Sequence, residues 1–176
     1  MTNEVLQTIL TRRSCKKYRG DPVDRKLVEV VVEAGLYAAS GSNLQGAIIL
    51  AVTDRPTRDR LCRLNAKYDP MGRTDPFYNA PVVLAVLGDR TTGTGVEDGS
   101  LVLGNMMLAA HALGLGSCWI HRAQEAFDDP DGLALLRELG VQGDYVGVGH
   151  LVLGYPEILR TDLPPRKEGR VFWAQD

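Results

Sequence analysis

The segment from Gly99 to Leu113 constrains the fold most, because its sequence, GSLVLGNMMLAAHAL, carries no Asp, Glu, Lys or Arg. Large apolar side chains occupy nearly every side of the helix that this segment predicts, and a helix that is apolar all round must be buried all round. A chain of 176 residues has few places that can cover such a helix completely. The helix therefore either runs through the centre of the domain or packs one face against a second subunit.

Helix and strand patterns alternate irregularly along the rest of the chain. Helical spacing of apolar residues predicts helices over 4–11, from Pro22 and Asp24 to Ala38, over 56–67 and over 131–139. Short apolar runs with β-branched residues predict strands at 47–52, 81–88, 114–120 and 145–155. Because the first two elements are both helices, we predict one α+β domain over residues 1–176, with a mixed β-sheet flanked by helices.

Charge and composition exclude several classes of partner. The net charge of −2 gives no basic field for nucleic acid or an acidic membrane. No basic and apolar leader begins the chain and no apolar run approaches the roughly 20 residues of a membrane span. Three widely spaced cysteines suit reduced thiols in the cytoplasm.

In the irregular tail, the apolar residues 171–173 (VFW) predict docking onto a partner chain.

Several short motifs do not carry the chemistry that they suggest at first sight. GVGHLVLG and GLGSCW resemble a dinucleotide fingerprint, but each lies in a predicted strand and lacks the third glycine at the right spacing. The segment FDDPDG lacks an oxygen ligand at the first calcium position, Phe127. The three histidines lie in different elements, which argues against a zinc site. Cys118 near His121 fits a buried strand cysteine better than a thiol–base couple.

Two polar segments in the first half of the chain admit both a structural and a functional interpretation. The cations after the first helix could compensate its dipole, or they could bind a phosphate through Arg12, Arg13, Ser14 and Lys16. The segment ASGSNLQG could be an ordinary loop. It could also present amide and hydroxyl groups to a heteroaromatic ring and a sugar chain, through Ser40, Gly41, Ser42, Asn43 and Gln45.

Two further segments in the second half are equally ambiguous. The glycines of GLGSCWI (114–120) serve packing, or they let a flat ring approach the backbone. Arg166 and Lys167 are either solvated tail charges or a second set of phosphate ligands. Each segment is weak by itself, but their order along the chain is informative.

Six segments, in this order, resemble the FMN-dependent nitroreductase family, and the likeness to its short members covers essentially the whole chain. They are RRSCKKY, ASGSNLQ, DPFYNAPVVLAV, DGSLVLGNMMLAAHALGLGSCWIHRAQEAF, YVGVGHLVLGYP and PRKEGRVFW. The resemblance implies an intertwined homodimer with two FMN sites at its interface. It also implies a ping-pong reaction in which NADH or NADPH reduces FMN and a small-molecule acceptor then reoxidises it.

The resemblance also assigns roles to individual residues. Arg12, Arg13, Ser14 and Lys16 match the segment that holds the ribityl phosphate and the ring. Lys16 suits the negative charge that reduction places on the ring, and no catalytic nucleophile is visible. The loop 40–45 matches the one that reaches the flavin from the other subunit. Cys118, Trp119, Ile120 and His121 match the strand end beside the isoalloxazine, where a backbone N–H meets flavin N5, and Arg166 with Lys167 matches the C-terminal phosphate clamp.

This chain departs from its relatives at two places. Ala39 and Gly46 stand where many relatives carry proline, which loosens the loop between them. His121 and Arg122 stand where relatives tend to carry two glycines, and we expect the larger side chains to restrict or orient the acceptor. Solvent-facing positions for both side chains are the alternative.

Three hypotheses compete with a nitroaromatic reductase. The first keeps the flavin and changes the acceptor to a quinone, an enone or a halogenated aromatic. The second is a flavin-binding protein with little turnover, used for storage or sensing, and the third is a structural dimer without a cofactor. The sequence does not name the physiological acceptor, the preferred nicotinamide, or the number of electrons delivered to a nitro group.

Overall fold

The computed structural model describes residues 3–158, 160 and 162–174. Helices and strands follow the sequence patterns closely; the structure adds helix α5 and a short 3₁₀ helix, Gly41–Asn43, in the segment predicted as a loop. In chain order the elements are α1 (Glu4–Thr11), α2 (Arg25–Leu36), β1 (Ala47–Val52), α3 (Arg55–Ala66), β2 (Val82–Asp89), α4 (Gly95–Ala112), β3 (Gly116–Ile120), α5 (Ala123–Asp128), α6 (Pro130–Glu138) and β4 (Tyr145–Gly154).

The four strands form one sheet in the order β1-β2-β4-β3, and every neighbouring pair is antiparallel. The α+β prediction agrees with this architecture, but the mixed sheet is a correction. Strands β2 and β3, which α4 joins, run in the same direction, but β4 inserts between them and pairs antiparallel to both. Within the described residues, parallel pairing is limited to an isolated bridge between Ser14 and Ser117.

Apolar layers cover both faces of the sheet, as the unbroken apolar run of β2 requires. On one face, Val83, Ala85 and Leu87 of β2 pack in a cluster with residues of α3, α5 and α6. On the other face, Val82 and Leu84 pack in a cluster with residues of α2 and α4. The alternation of burial partners along β2 follows the period of two of a strand.

Helix α4 is buried along one side only. Val102, Leu103, Met106 and Ala110 are buried against the sheet, whereas Leu101 on the opposite side is 50% exposed. The helix therefore does not run through the centre of one chain, and the second expectation, a face left for a partner, fits its position. It begins at Gly95 rather than Gly99, because acidic side chains in a first turn favour a helix N-terminus.

Two other apolar surfaces are exposed in the single chain. Helix α1 contributes Val5, Leu6, Ile9 and Leu10, each about half exposed, although they form one face of the helix. In the tail, Phe172 and Trp173 are almost fully exposed. Within the described part of the chain, no helix is long and apolar enough to cross a membrane.

Candidate functional site

Residues 12–19 run along the edge of the sheet between β3 and the end of β4. The backbone N–H of Cys15 donates to the carbonyl of Ser117 at 2.8 Å, and that of Arg19 donates to the carbonyl of Tyr155 at 2.9 Å. Gly116 permits this approach, because a Cβ there would lie 2.8 Å from the Cβ of Cys15. The polar segment after α1 is thus anchored to the strand that follows α4.

A cavity of about 310 Å³ lies between this segment, the end of α4 and the start of the tail. Its volume is at the lower end of ordinary ligand pockets. The lining includes four cationic side chains and no carboxylate from the described residues; the cations are Arg13, Lys16, Lys17 and Arg160. Ser14, Ser117 and His111 add polar groups to the wall. Such a lining favours an anionic ligand.

The two arginines after α1 have only part of their hydrogen-bonding capacity satisfied. Arg13 donates through Nη1 to the carbonyls of Leu10 (2.8 Å) and Arg12 (2.6 Å), and through Nη2 to the carbonyl of Asp162. Its Nε and the Nη1 of Arg12 are buried and have no acceptor among the described residues. Arg13 therefore does serve the C-terminus of α1, as the structural interpretation expects, but one nitrogen of each arginine stays unpaired among the described residues.

These unpaired donors provide a test of whether the residues fit FMN. A buried charged donor without an acceptor is costly, so an anion that accepted from these guanidinium groups would stabilise the arrangement. The local field has the matching sign: burial, and then the positive charges of Arg12 and Arg13, lower the pKa of His111. A phosphate dianion fits these residues, and Arg12, Arg13 and Arg160 are the groups that would hold it.

Lys16 lies beside an aromatic and cationic cluster. Its Nζ is 5.7 Å from the ring centroid of Tyr78, whose hydroxyl accepts a hydrogen bond from Arg73 at 2.6 Å. Cys118 is buried nearby on β3, and burial is the main cause that raises the pKa of its thiol. A thiol with a raised pKa is a poor nucleophile, which agrees with the structural interpretation of this cysteine.

The end of β3 turns sharply at the residues where the chain departs from its relatives. His121 is exposed, while its carbonyl accepts from the side chain of Asn65 at 2.7 Å. Arg122 adopts a left-handed conformation (φ +75°), and its Nη1 pairs with Glu125 at 2.7 Å. Glycine suits such a φ best, which explains physically why a glycine belongs at this turn. Trp119 is half-buried and Ile120 is buried.

The loop 40–45 lies at the opposite end of α4. The N–H of Gly41 donates to the carboxylate of Asp98 at 2.9 Å, and the hydroxyl of Ser40 accepts from the N–H of Gln45 at 3.0 Å. Ser42, Asn43 and Gln45 are exposed and have positive φ. His111, which lines the cavity, is roughly 20 Å from Asp98 along the helix, at 1.5 Å per residue. Within one chain, the loop and the cavity are therefore separate.

The tail also contributes differently from the expected clamp. Arg166 and Lys167 are exposed and outside the cavity lining, while Arg160 lines the cavity and pairs with Asp162. Sequence reasoning did not select Arg160, Lys17 or His111. The sequence did contain a signal for Lys17, because this residue adjoins Lys16 in the basic segment. No sequence pattern indicated Arg160 or His111, because their positions depend on the path of the tail and on the orientation of α4.

An α+β sheet domain with a cation-lined cavity beside an edge strand has the architecture that suits an anionic small molecule. Comparison with known families identifies it further: residues 9–155 match the model of the nitroreductase family. The chain belongs to the nitroreductase family, and the resemblance stated from the sequence is confirmed.

Known relatives extend over most of the chain. The NADPH-flavin oxidoreductase of Vibrio harveyi is 27% identical over 96% of this chain and 72% of its own length. A Methanothermobacter thermautotrophicus protein, named for NADH dehydrogenase and NAD(P)H nitroreductase, is 31% identical over 66% of this chain and 60% of its own. This chain thus spans less than two thirds of that relative.

Among solved structures, a nitroreductase with bound FMN from Bacteroides fragilis superposes with a TM-score of 0.86 at 29% identity. The match covers 99% of this chain and 100% of the other. These names agree with the prediction of an NAD(P)H-dependent flavin oxidoreductase.

Proposed function

We propose that this protein is an FMN-dependent oxidoreductase that takes electrons from NADH or NADPH and passes them to nitroaromatic, quinone or related acceptors. The two half-reactions follow each other at one site, which makes the mechanism ping-pong. The observation that carries the proposal is the cavity beside β3, which four cationic side chains line, next to the two arginines after α1 that keep one unpaired nitrogen each. The FMN in the Bacteroides fragilis neighbour supports the choice of ligand.

Each group around the cavity has a limited task. When bound, FMN supplies the redox chemistry, accepting hydride from the nicotinamide and delivering electrons to the acceptor. Arg12, Arg13 and Arg160 hold the phosphate, because guanidinium groups offer paired donors to its oxygens. Lys16 provides a fixed cation next to the ring, which favours negative charge there. Ser14 adds a hydroxyl for hydrogen bonding.

The cysteines take no part in this proposal. Burial is the largest cause that raises the pKa of both Cys15 and Cys118, so their thiols stay protonated near neutral pH. The three cysteines are free thiols, which supports a reducing compartment such as the cytoplasm.

We further propose that the protein works as an intertwined homodimer that completes each site with residues 40–45 of the other subunit. Three observations support this arrangement: the separation of that loop from the cavity, the half-exposed side of α4, and the exposed apolar residues of α1 and of the tail. Exposed apolar area of this extent is typical of protein interfaces. Arg166 and Lys167 then act from the tail that crosses to the partner.

The absorption spectrum of the purified protein tests the cofactor, and anaerobic titration with NADH and NADPH tests the activity. We expect a yellow protein whose flavin is bleached by at least one nicotinamide and restored by a quinone or a nitroaromatic. Bound FMN that neither nicotinamide reduces would favour storage or sensing. A colourless protein that does not take up added FMN would contradict the proposal.

The phosphate site is tested by Arg13→Ala. Losing a charge-assisted hydrogen bond costs about 1.5–3 kcal/mol, which weakens FMN binding roughly ten- to a hundredfold. Arg19→Ala is the matched control, because Arg19 is exposed and stacks on Tyr155 outside the cavity. Equal FMN affinity in Arg13→Ala and the native protein would limit Arg13 to its role at the end of α1.

Light scattering tests the dimer independently of turnover. We expect the mass of two chains at micromolar concentration. A stable monomer that retains FMN would refute the shared site while leaving the oxidoreductase proposal intact.

A further inference from the structure

We propose that His111 is a titratable ligand of the phosphate, and that FMN binding draws one proton from solvent onto its imidazole. The inference rests on the proposed function, because it takes the anion in the cavity to be the phosphate of FMN. It adds a binding residue on α4, where the resemblance stated from the sequence assigns none.

The hydrogen bonds of Thr11 determine which ring nitrogen of His111 is available. The hydroxyl of Thr11 lies 2.7 Å from the carbonyl of Gln7 and 2.9 Å from Nε2 of His111. A carbonyl oxygen can only accept, and a hydroxyl has one proton to donate, so that proton goes to Gln7. Nε2 of His111 must then carry a hydrogen and donate it to Thr11. Nδ1 remains, with no partner among the described residues.

His111 lies where an anion would be held. It lines the same cavity as Arg13, and it is close enough to Arg12 and Arg13 for their charges to act on it. The charged or titratable groups that surround this cavity are Arg12, Arg13, Cys15, Lys16, Lys17 and Arg160, with two carboxylates beside them: Asp162, which pairs with Arg160, and Glu157, whose charge acts on Cys15. Cations predominate, so without an anion they disfavour the protonated imidazole.

A bound phosphate reverses the preference of His111 for the neutral imidazole. In the neutral ring, Nδ1 presents a lone pair, which repels phosphate oxygens. In the protonated ring, Nε2–H still donates to Thr11 while Nδ1–H donates to phosphate, so every polar hydrogen has an acceptor. The position of His111 in the last turn of α4 also favours the cation, because the helix C-terminus is the negative end of its dipole. The bound form is therefore the protonated form.

The direction of the pH dependence follows from linkage. Burial and the two arginines lower the pKa of His111 in the free protein, and the phosphate raises it in the complex. The additional affinity is fully present below the pKa of the free protein and is lost as pH rises through the pKa of the complex. Between the two values, the FMN dissociation constant rises by up to about tenfold per pH unit because of this proton.

Equilibrium dialysis of the native protein and of two variants against FMN, from about pH 5 to about pH 8, tests the coupling. His111→Gln retains an amide that can donate to Thr11 but cannot titrate. Arg19→Gln is the control, since it also places an uncharged amide in the chain, but at an exposed position outside the cavity lining. The second ionisation of the phosphate, near pH 6, affects all three proteins alike, so only the difference between curves reports on His111.

We expect FMN affinity to rise more steeply with falling pH in the native protein and in Arg19→Gln than in His111→Gln, by up to about tenfold per pH unit. Riboflavin, which lacks the phosphate, should give the same curve with native protein and His111→Gln. Parallel FMN curves would overturn the inference, while FMN binding in all variants would leave the proposed function standing. Should His111→Gln fail to fold, an NMR titration of the native His111 ring decides: its pKa must rise when FMN is added, and an unchanged or lower pKa overturns the inference.

Discussion

His150 is the titratable group most completely removed from water, and replacing it should change how stability depends on pH. The side chain is 0% exposed on β4, between the rings of Phe77 (centroids 5.2 Å apart) and Phe127 (5.5 Å). Nδ1 lies 3.2 Å from the amide nitrogen of Asn65, while Nε2 has no partner among the described residues. Burial lowers the pKa of His150 to about 3.

The sign and the size of the effect follow from this shift. An unfolded histidine titrates near its ordinary value of 6.5, whereas the folded one stays neutral until about pH 3. Between these values the unfolded chain binds the additional proton, so the free energy of unfolding falls as pH falls. One pH unit in this window is worth about 1.4 kcal/mol, and the loss from pH 7 to 4.5 is about 3 kcal/mol. That is a large part of the roughly 5–15 kcal/mol typical of folded domains.

Urea unfolding of the native protein and of His150→Leu, followed by circular dichroism at pH 7 and at pH 4.5, measures this contribution. Protein concentration and the excess of FMN are held the same in every sample. We expect the native protein to lose about 3 kcal/mol more than His150→Leu between the two pH values, whatever the offset at pH 7. His121→Leu, which removes an exposed imidazole, should behave like the native protein. Equal losses in the native protein and His150→Leu would refute the reasoning.

Three further substitutions test other parts of the structure. Cys118→Ala should leave flavin reduction by the nicotinamide intact, and its complete loss in a folded, FMN-loaded protein would show that the thiol is needed. Arg122→Gly should relieve about 1–2 kcal/mol of strain from the left-handed backbone at this residue. It should also alter the rates with acceptors or the preference between NADH and NADPH, while FMN affinity stays near its original value. Unchanged kinetics would assign Arg122 a structural role only. Gly88→Ala should destabilise by about 1–3 kcal/mol or more in thermal unfolding, because its Cβ would lie 2.0 Å from the carbonyl of Gly95, whereas Gly20→Ala, with nothing within 4 Å, should be neutral.

The elements of this fold were predictable where periodicity is strong. The apolar run of β2 and the Asp24 cap of α2 identified their elements correctly, because local pattern and tertiary position agree there. Helix α5 was not predicted, since it is short and follows a left-handed Arg122 that no residue preference announces. The direction of pairing was also missed, because the position of β4 between β2 and β3 is a property of the whole sheet.

The candidate site was predictable only in part, for a comparable reason. Arg13, Ser14 and Lys16 are neighbours in sequence, and the structure does place all three on one cavity wall. Arg160 and His111 join that wall from the tail and from α4, so their participation depends on how distant segments meet. The pattern of a single histidine on an apolar helix predicts a core residue rather than a ligand. Its distinguishing feature, an Nε2 already engaged by Thr11, exists only in three dimensions.

Helix α4 takes part in both the proposed dimer interface and the proposed ligand site. Its C-terminal turn carries His111 into the cavity, and its N-terminal turn binds the loop 40–45 through Asp98. A straight helix keeps these two ends roughly 20 Å apart, so no rearrangement of side chains brings the loop to the cavity of the same chain. The side of α4 that stays half-exposed is the one that a second copy can cover, and the partner's loop then approaches from outside. In the proposed dimer, the apolar surface that makes this helix unusual in sequence is therefore the surface whose contact with a second copy brings that copy's loop 40–45 to the flavin site.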